Sequence, residues 1–109
     1  MFSKNRRIPR KMFPLLSNGT KTFKSNLFLL RFVSKDGPSR FCFSVSKKIA
    51  KSAVVRNKMR RAGYRSLEKH FPEISSNILA LFSFRTIPKN DEEIIKNLKS
   101  ILTESKLIK

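Results

Sequence analysis

Three groups of residues in this 109-residue chain have the chemistry for function: a lone His70 and a lone Cys42, a run of carboxylates at Asp91-Glu92-Glu93, and a dense basic block from Ser46 to Arg61. General acid–base or nucleophilic catalysis needs a constellation, in which a His or Cys is oriented by a second group or two carboxylates share a site. His70 stands at the end of a long helical pattern with no visible partner, which suits a cap or surface role. Asp91-Glu92-Glu93 would hold a metal ion or, more simply, sit in the first turn of a helix where negative charge meets the positive end of the dipole. No Cys or His spacing fits zinc, and three glycines make no phosphate-binding loop. No catalytic residue and no metal ligand are assigned to this chain, and no small-molecule substrate is implied.

The basic block is different. Arg56, Lys58, Arg60, Arg61 and Arg65 repel one another unless something anionic lies across them. Arginine suits backbone phosphate through its forked donors, and Asn57 adds an amide able to reach a base or sugar. Across the chain 25 Lys and Arg face seven Asp and Glu, a net charge of +18. Residues 1–67 hold 18 of those basic side chains and only Asp36 as an acid, a local net of +17, whereas the rest is nearly balanced. Charge kept for solubility has no reason to segregate, so a polyanion site, nucleic acid first, is expected. A 39% hydrophobic content with ten Phe supports one compact domain over residues 1–109 rather than a disordered basic tail. The longest apolar runs fall far short of the ~20 residues that span a bilayer, and the basic start leads into no signal-like apolar stretch. One cysteine forbids an internal disulfide and fits a reducing cytoplasm.

The elements that must position these residues follow from periodicity. Arg7 to Gly19 reads as a short helix opened by Pro9 and closed by Asn18-Gly19, with Pro14 inside it. Thr20 to Phe23 is a short strand. Leu27 to Val33 and Arg40 to Ser46 alternate as strands around the turn cluster Ser34–Ser39, which predicts a β-hairpin with a six-residue loop. Cys42 is then a half-buried strand residue. Ala50 to Phe71 is the longest helix, ended by Pro72, with Val55, Met59, Ala62 and Ser66 on one stripe and Leu67 beside it. Lys58, Arg61, Arg65 and Lys69 form one basic row, and Arg56 with Arg60 another. Gly63 inside the helix predicts a close backbone approach to the sheet or to a partner. Ile78 to Phe84 is apolar enough for a strand buried on both faces. Asn90 and Glu93 form a capping box ahead of a last amphipathic helix carrying Ile94, Ile95, Leu98, Ile101 and Leu102. The order αβββαβα indicates an α+β, two-layer α/β domain.

The segment Val45-Ser-Lys-Lys-Ile-Ala-Lys-Ser-Ala-Val-Val-Arg-Asn-Lys-Met-Arg-Arg61 resembles the signature of the bacterial ribonuclease P protein subunit, in which a Val-x-Lys-Lys strand end precedes an Ala-Val-x-Arg-Asn-x-x-(Lys/Arg)-Arg helix. Arg7, Ile8, Phe13, Gly19, Phe28, Arg85 and Pro88 extend the likeness over nearly the whole chain. It departs from the pattern at Tyr64, where the family usually has Arg, at Val55, and in a shortened first helix with Pro14. The resemblance implies a four-stranded sheet with a left-handed βαβ crossover, ribosomal protein S5 domain 2-like. It also implies a partner, the catalytic RNA of ribonuclease P, which with Mg²⁺ held mainly by that RNA removes the 5′ leader of precursor tRNA in the cytoplasm. This chain would then be a subunit of an endoribonuclease without being its catalyst. Lys51, Arg56, Asn57, Lys58, Arg60, Arg61 and Arg65 would touch the catalytic RNA. A cleft between sheet and long helix would take the leader, with Phe13, Phe28, Lys47 and Lys48 as its candidates; for the two Phe, core packing is an equal alternative.

Two other readings compete. A small basic structural ribosomal protein shares the composition, but the Arg56–Arg61 block favours the subunit. A membrane-active cationic protein would need an amphipathic helix with a broad apolar face and would show no preference for structured RNA.

Overall fold

The computed structural model describes residues 7, 8, 14, 16, 20–37, 39–75 and 77–108. Four strands, β1 (Lys21–Lys24), β2 (Phe28–Ser34), β3 (Arg40–Ser44) and β4 (Ile78–Phe84), and two helices, α1 (Ala53–Glu68) and α2 (Asp91–Glu104), make an α+β domain. The expected first helix lies largely outside the described residues. The sheet order is β1-β2-β4-β3. β2 is antiparallel to both neighbours, and β3 runs parallel to β4.

This order corrects the predicted hairpin: β2 and β3 do not pair, because β4 lies between them. β4 is the strand with apolar residues on both faces, and the centre of the sheet is where such a strand loses most water-exposed surface. The turn cluster therefore crosses over the start of β4, where it is tied down. Lys35 N donates to Asn77 O (2.9 Å), Gly37 N to Asn77 Oδ1 (3.2 Å) and Ser39 Oγ to Ser75 O (2.8 Å), while Ile78 N donates back to Ser39 Oγ (3.1 Å). Asn77 makes this turn at φ 62°, the left-handed region that Asn tolerates better than most residues. The hairpin that does form joins β1 to β2.

Alternation along the strands sorts side chains between two faces. Phe28, Leu30, Phe41, Phe43, Phe82 and Phe84 point toward the helices and form the core with Leu67 of α1 and Ile94, Leu98, Ile101 and Leu102 of α2. The Phe rings interlock: Phe43 stacks on Phe82 with centroids 4.9 Å apart, and Phe28 tilts against Phe84 at 4.8 Å. On the opposite face Val33, Leu79, Leu81 and Cys42 meet Ile8 and Leu16 from the segment ahead of β1. Ile8 N donates to Phe41 O, and Arg7 bridges to Phe41 as well, so residues 7 and 8 lie along the outer edge of β3. Cys42 is half-buried, as read from the sequence.

α1 is shorter than Ala50–Phe71. Ser52 is its N-cap, its side chain accepting from Val55 N, and Lys69 its C-cap; Pro72 falls in a separate 3₁₀ turn, Phe71–Glu73. Met59, Ala62, Gly63, Ser66 and Leu67 are its buried face. Val55, placed on that stripe by periodicity, is 37% exposed, and Val54 65%, so among the described residues the first turn of α1 is left uncovered. Gly63 does make the predicted close approach, and to the sheet: a Cβ there would stand 2.7 Å from Phe43 Cδ2. Half of the expected capping box is present, Glu93 N donating to Asn90 Oδ1 (2.9 Å); Glu93 Oε1 reaches back one residue further than the box requires and accepts from Lys89 N (3.1 Å). After α2 the chain returns to pair Ile108 with Ile74.

Candidate nucleic-acid interface

α1 crosses the helix-side face of the sheet above its outer strand, β3, and the groove between them is a cleft of about 780 Å³. Its helix wall is Asn57, Arg60, Arg61, Tyr64 and Arg65, spaced i, i+3, i+4, i+7 and i+8, one face of one helix. Cys42, Ser44 and Val45 form the strand side, and Arg7 closes it from the N-terminal segment. Four guanidiniums thus surround one cleft. The contact between a basic and an acidic side chain given by the described residues is His70 Nδ1 with Glu73 Oε2 (3.8 Å), so none of these four has an acidic partner among them. Partnerless positive charge around a groove is a field that attracts polyanions.

Tyr64 is the pivot. Its hydroxyl accepts from Phe43 N (3.2 Å), its ring stands edge-on to Phe43 at 5.0 Å, and the Arg7 guanidinium carbon lies 5.5 Å from the ring centroid. Phe43 N lies on the outer edge of β3, where another strand would otherwise find a donor, so Tyr64 also blocks that edge. Burial pushes both the Tyr64 hydroxyl and the Cys42 thiol above their ordinary values, keeping them neutral.

The predicted RNA-contacting residues separate into kinds. Lys58, Arg61 and Arg65 are exposed on α1, and Lys47, Lys48 and Lys51 are exposed on the connection leading into it. Arg60 Nη2 donates to Asn57 Oδ1, which orients both side chains. Arg56 does otherwise: its Nη1 donates to Ala50 O and Lys51 O, both at 2.8 Å, bracing the connection that carries the lysines. Of the aromatic candidates for the leader, Phe28 is fully buried and belongs to the core, its ring faces taken by Phe43, Phe82 and Phe84. Phe13 lies outside the described residues. Among the described residues no three His, Cys, Asp or Glu side chains come together as metal ligands, and Asp91-Glu92-Glu93 occupies the first turn of α2.

Sequence reasoning missed Arg7 and Tyr64. Tyr64 was legible, since the 57/60/61/64/65 spacing is itself a helical face. Arg7 was not, because only the fold brings it to α1.

Comparison with known proteins bears on the family and the fold. The family model described as Ribonuclease P matches residues 2–106. A ribonuclease P protein component of Microcystis aeruginosa is 36% identical over 74 residues, 66% of this chain and 62% of that one, so the match spans less than two thirds of that relative. One from Prochlorococcus marinus is 29% identical over 112 residues, 87% of this chain and 88% of its own. Among solved structures, the Staphylococcus aureus RNase P protein superposes with a TM-score of 0.84 at 22% identity, covering 95% of this chain and 98% of that one. The Thermotoga maritima RNase P protein does so with a TM-score of 0.80 at 19% identity, covering 90% and 96%. These two share the fold.

Proposed function

This chain belongs to the ribonuclease P protein family, and from that membership we propose that it binds the catalytic RNA of ribonuclease P and the 5′ leader of precursor tRNA, assisting leader removal in the cytoplasm as a single RNA-binding domain. The observation that carries the reading is the cleft between α1 and β3, with Arg7, Arg60, Arg61 and Arg65 unpaired by acids among the described residues. Bidentate guanidiniums fixed on one helix bind phosphates at a set spacing, whereas mobile surface lysines bind them loosely. The exposed Lys47, Lys48 and Lys51 extend that surface toward the start of α1.

The chemistry belongs to the RNA in this reading. Mg²⁺ would be held by RNA phosphates and would activate water there, and this chain's residues lower the repulsion between the two RNAs so that precursor and metal are held at lower Mg²⁺. Asn57 and Arg60, oriented by each other, fix the register of the contact.

The deciding experiment adds the chain to a bacterial catalytic RNA and precursor tRNA at low Mg²⁺. A gain in correct 5′ cleavage is expected, and its absence sinks the proposal.

A further inference from the structure

We propose that Asp36–Gly37 is a modification site of this chain, where the aspartyl linkage converts to an isoaspartyl one, and that Asn77 holds the site closed in the folded state. It lies in the turn between β2 and β3, and neither residue lines the cleft.

The chemistry is intramolecular. A backbone nitrogen that follows an aspartate attacks the side-chain carboxyl carbon when nothing crowds it, and glycine, without a Cβ, crowds it least. Of the two aspartates in the chain, Asp36 is the one that precedes a glycine. Gly37 N gives up its proton and bonds to Asp36 Cγ, while the protonated carboxyl loses its hydroxyl, so that one water leaves and a cyclic imide closes. Water then adds at the Asp36 main-chain carbonyl carbon, and the bond from that carbon to Gly37 N breaks. The chain now runs through Cβ and Cγ, with the former main-chain carbonyl as a free carboxylate. The water lost is regained, so mass and charge are unchanged and no co-reactant is needed.

Two features of the fold meet at this dipeptide. Asp36 and Gly37 are exposed, Gly37 has φ 110°, and among the described residues a Cβ built on it would meet nothing within 4 Å beyond its chain neighbours. The ring therefore has room to form. The attacking nitrogen, however, is engaged: Gly37 N donates to Asn77 Oδ1 at 3.2 Å, which turns it toward the start of β4. Lys35 N donates to Asn77 O at 2.9 Å, so Asn77 grips the residues on both sides of Asp36. Cyclisation has to wait for that grip to open, a local event well short of unfolding the chain.

Conversion also acts on the sheet. It adds one backbone atom between Lys35, tied to Asn77, and Ser39, which is 4% exposed and donates to Ser75 O. Both ties cannot then keep their present lengths. Ser39 Oγ is also the acceptor for Ile78 N, the first amide of β4, and the pairing of β3 with β4 begins one residue further on, at Arg40 with Leu79. The isoaspartyl chain should be looser at that start.

The whole chain is kept for weeks at neutral pH, folded and unfolded in guanidinium chloride, and peptide mapping follows isoaspartate at residue 36. Mapping separates it from Asn18–Gly19, whose glycine invites the same cyclisation, and labelling by an isoaspartyl carboxyl methyltransferase gives a second count. The unfolded chain is expected to react at least about tenfold faster than the folded one. Asn77→Gly keeps the φ of 62° accessible but removes the acceptor, and should speed the folded reaction about five- to tenfold, the population released by one hydrogen bond. Asn77→Asp retains an acceptor and should retain the slow rate. Denaturant titration of each variant separates release of the turn from global unfolding. Equal rates in the folded and unfolded wild-type chain, or no isoaspartate at residue 36 in either, overturn the proposal without reliance on any variant. Asn77→Gly reacting at the wild-type rate with wild-type stability overturns the role of Asn77. The converted chain, purified by chromatography, should exchange its Ile78 amide faster than its parent, and equal exchange overturns the effect on β4.

Discussion

Gly63 of α1 lies directly on the ring of Phe43 in β3: a Cβ at Gly63 would stand 2.7 Å from Cδ2 and 2.8 Å from Cε2 of that ring. The contact sets how deeply the helix settles on the sheet, and so the width of the cleft beside it. Phe43 is 1% exposed and stacked on Phe82, so the ring has no open space to move into.

Gly63→Ala should therefore destabilise the protein, although helix propensity alone favours Ala by about 1 kcal/mol. Overpacking a filled core costs about 1–3 kcal/mol and decides the sign. Denaturant titration checks it. Pairing the change with Phe43→Leu should recover much of the loss, and a double-mutant cycle with no coupling would mean that the contact is not what opposes Ala.

Arg56 is expected to act through the backbone it braces. Arg56→Ala leaves the half-buried Ala50 carbonyl and the exposed Lys51 carbonyl without this donor, at about 1 kcal/mol. Amide exchange around residues 50–53 should quicken in this variant and stay unchanged in Arg61→Ala. Equal exchange in both would place Arg56 outside the architecture of the loop.

Replacing Arg60 and Arg61 together with Ala should weaken RNA binding and flatten the log–log salt dependence by about 2 at most, one phosphate for each side chain. An unchanged slope, measured by filter binding across salt concentrations, would mean that these side chains do not meet phosphate.

Asn90→Ala removes the cap of α2 and should cost about 1 kcal/mol. α2 packs against β1, β2 and α1 and supplies none of the cleft's residues, so RNA affinity at a temperature where the variant is folded should stay as in wild type. A parallel loss of affinity would extend the RNA surface to α2.

Alkaline pH should weaken the fold at the cleft. Burial raises the Cys42 thiol above its ordinary 9.0 and the Tyr64 hydroxyl above 10.0, the neighbouring Cys42 adding to the latter. The unfolded chain ionises first, so the stability these groups supply is whole below about pH 9 and lost as pH climbs through their folded values. The stability difference between wild type and Cys42→Ala, followed by urea titration, should be flat up to pH 9 and shrink above it. A difference that does not change with pH would remove the thiol from this account.

Local pattern made much of this protein legible. The Arg56–Arg61 block marked α1 as the helix that carries clustered arginines, Gly63 announced a close approach, and Asn90 with Glu93 announced a cap that the fold contains. These are properties of residues within a few positions of one another, and helix and strand periods carry them. Strand neighbours are another matter. Ser34–Ser39 has the composition of a hairpin loop, yet β4, some forty residues on, separates the two strands it joins. The deciding energy is burial of the most apolar strand at the sheet centre, a property of the whole sheet. Val55 has the right angular position for the core but sits on a helical turn that the described residues leave exposed. Phe28, by type equally fit for stacking or packing, became core because its strand position faces α1 and α2. The sequence by itself determined the charge, the elements and the helix that bears the arginines. Only the tertiary structure decided that Arg7 would lie over Tyr64, fifty-seven positions away, because contacts between distant segments depend on which faces the sheet leaves open once its core is filled.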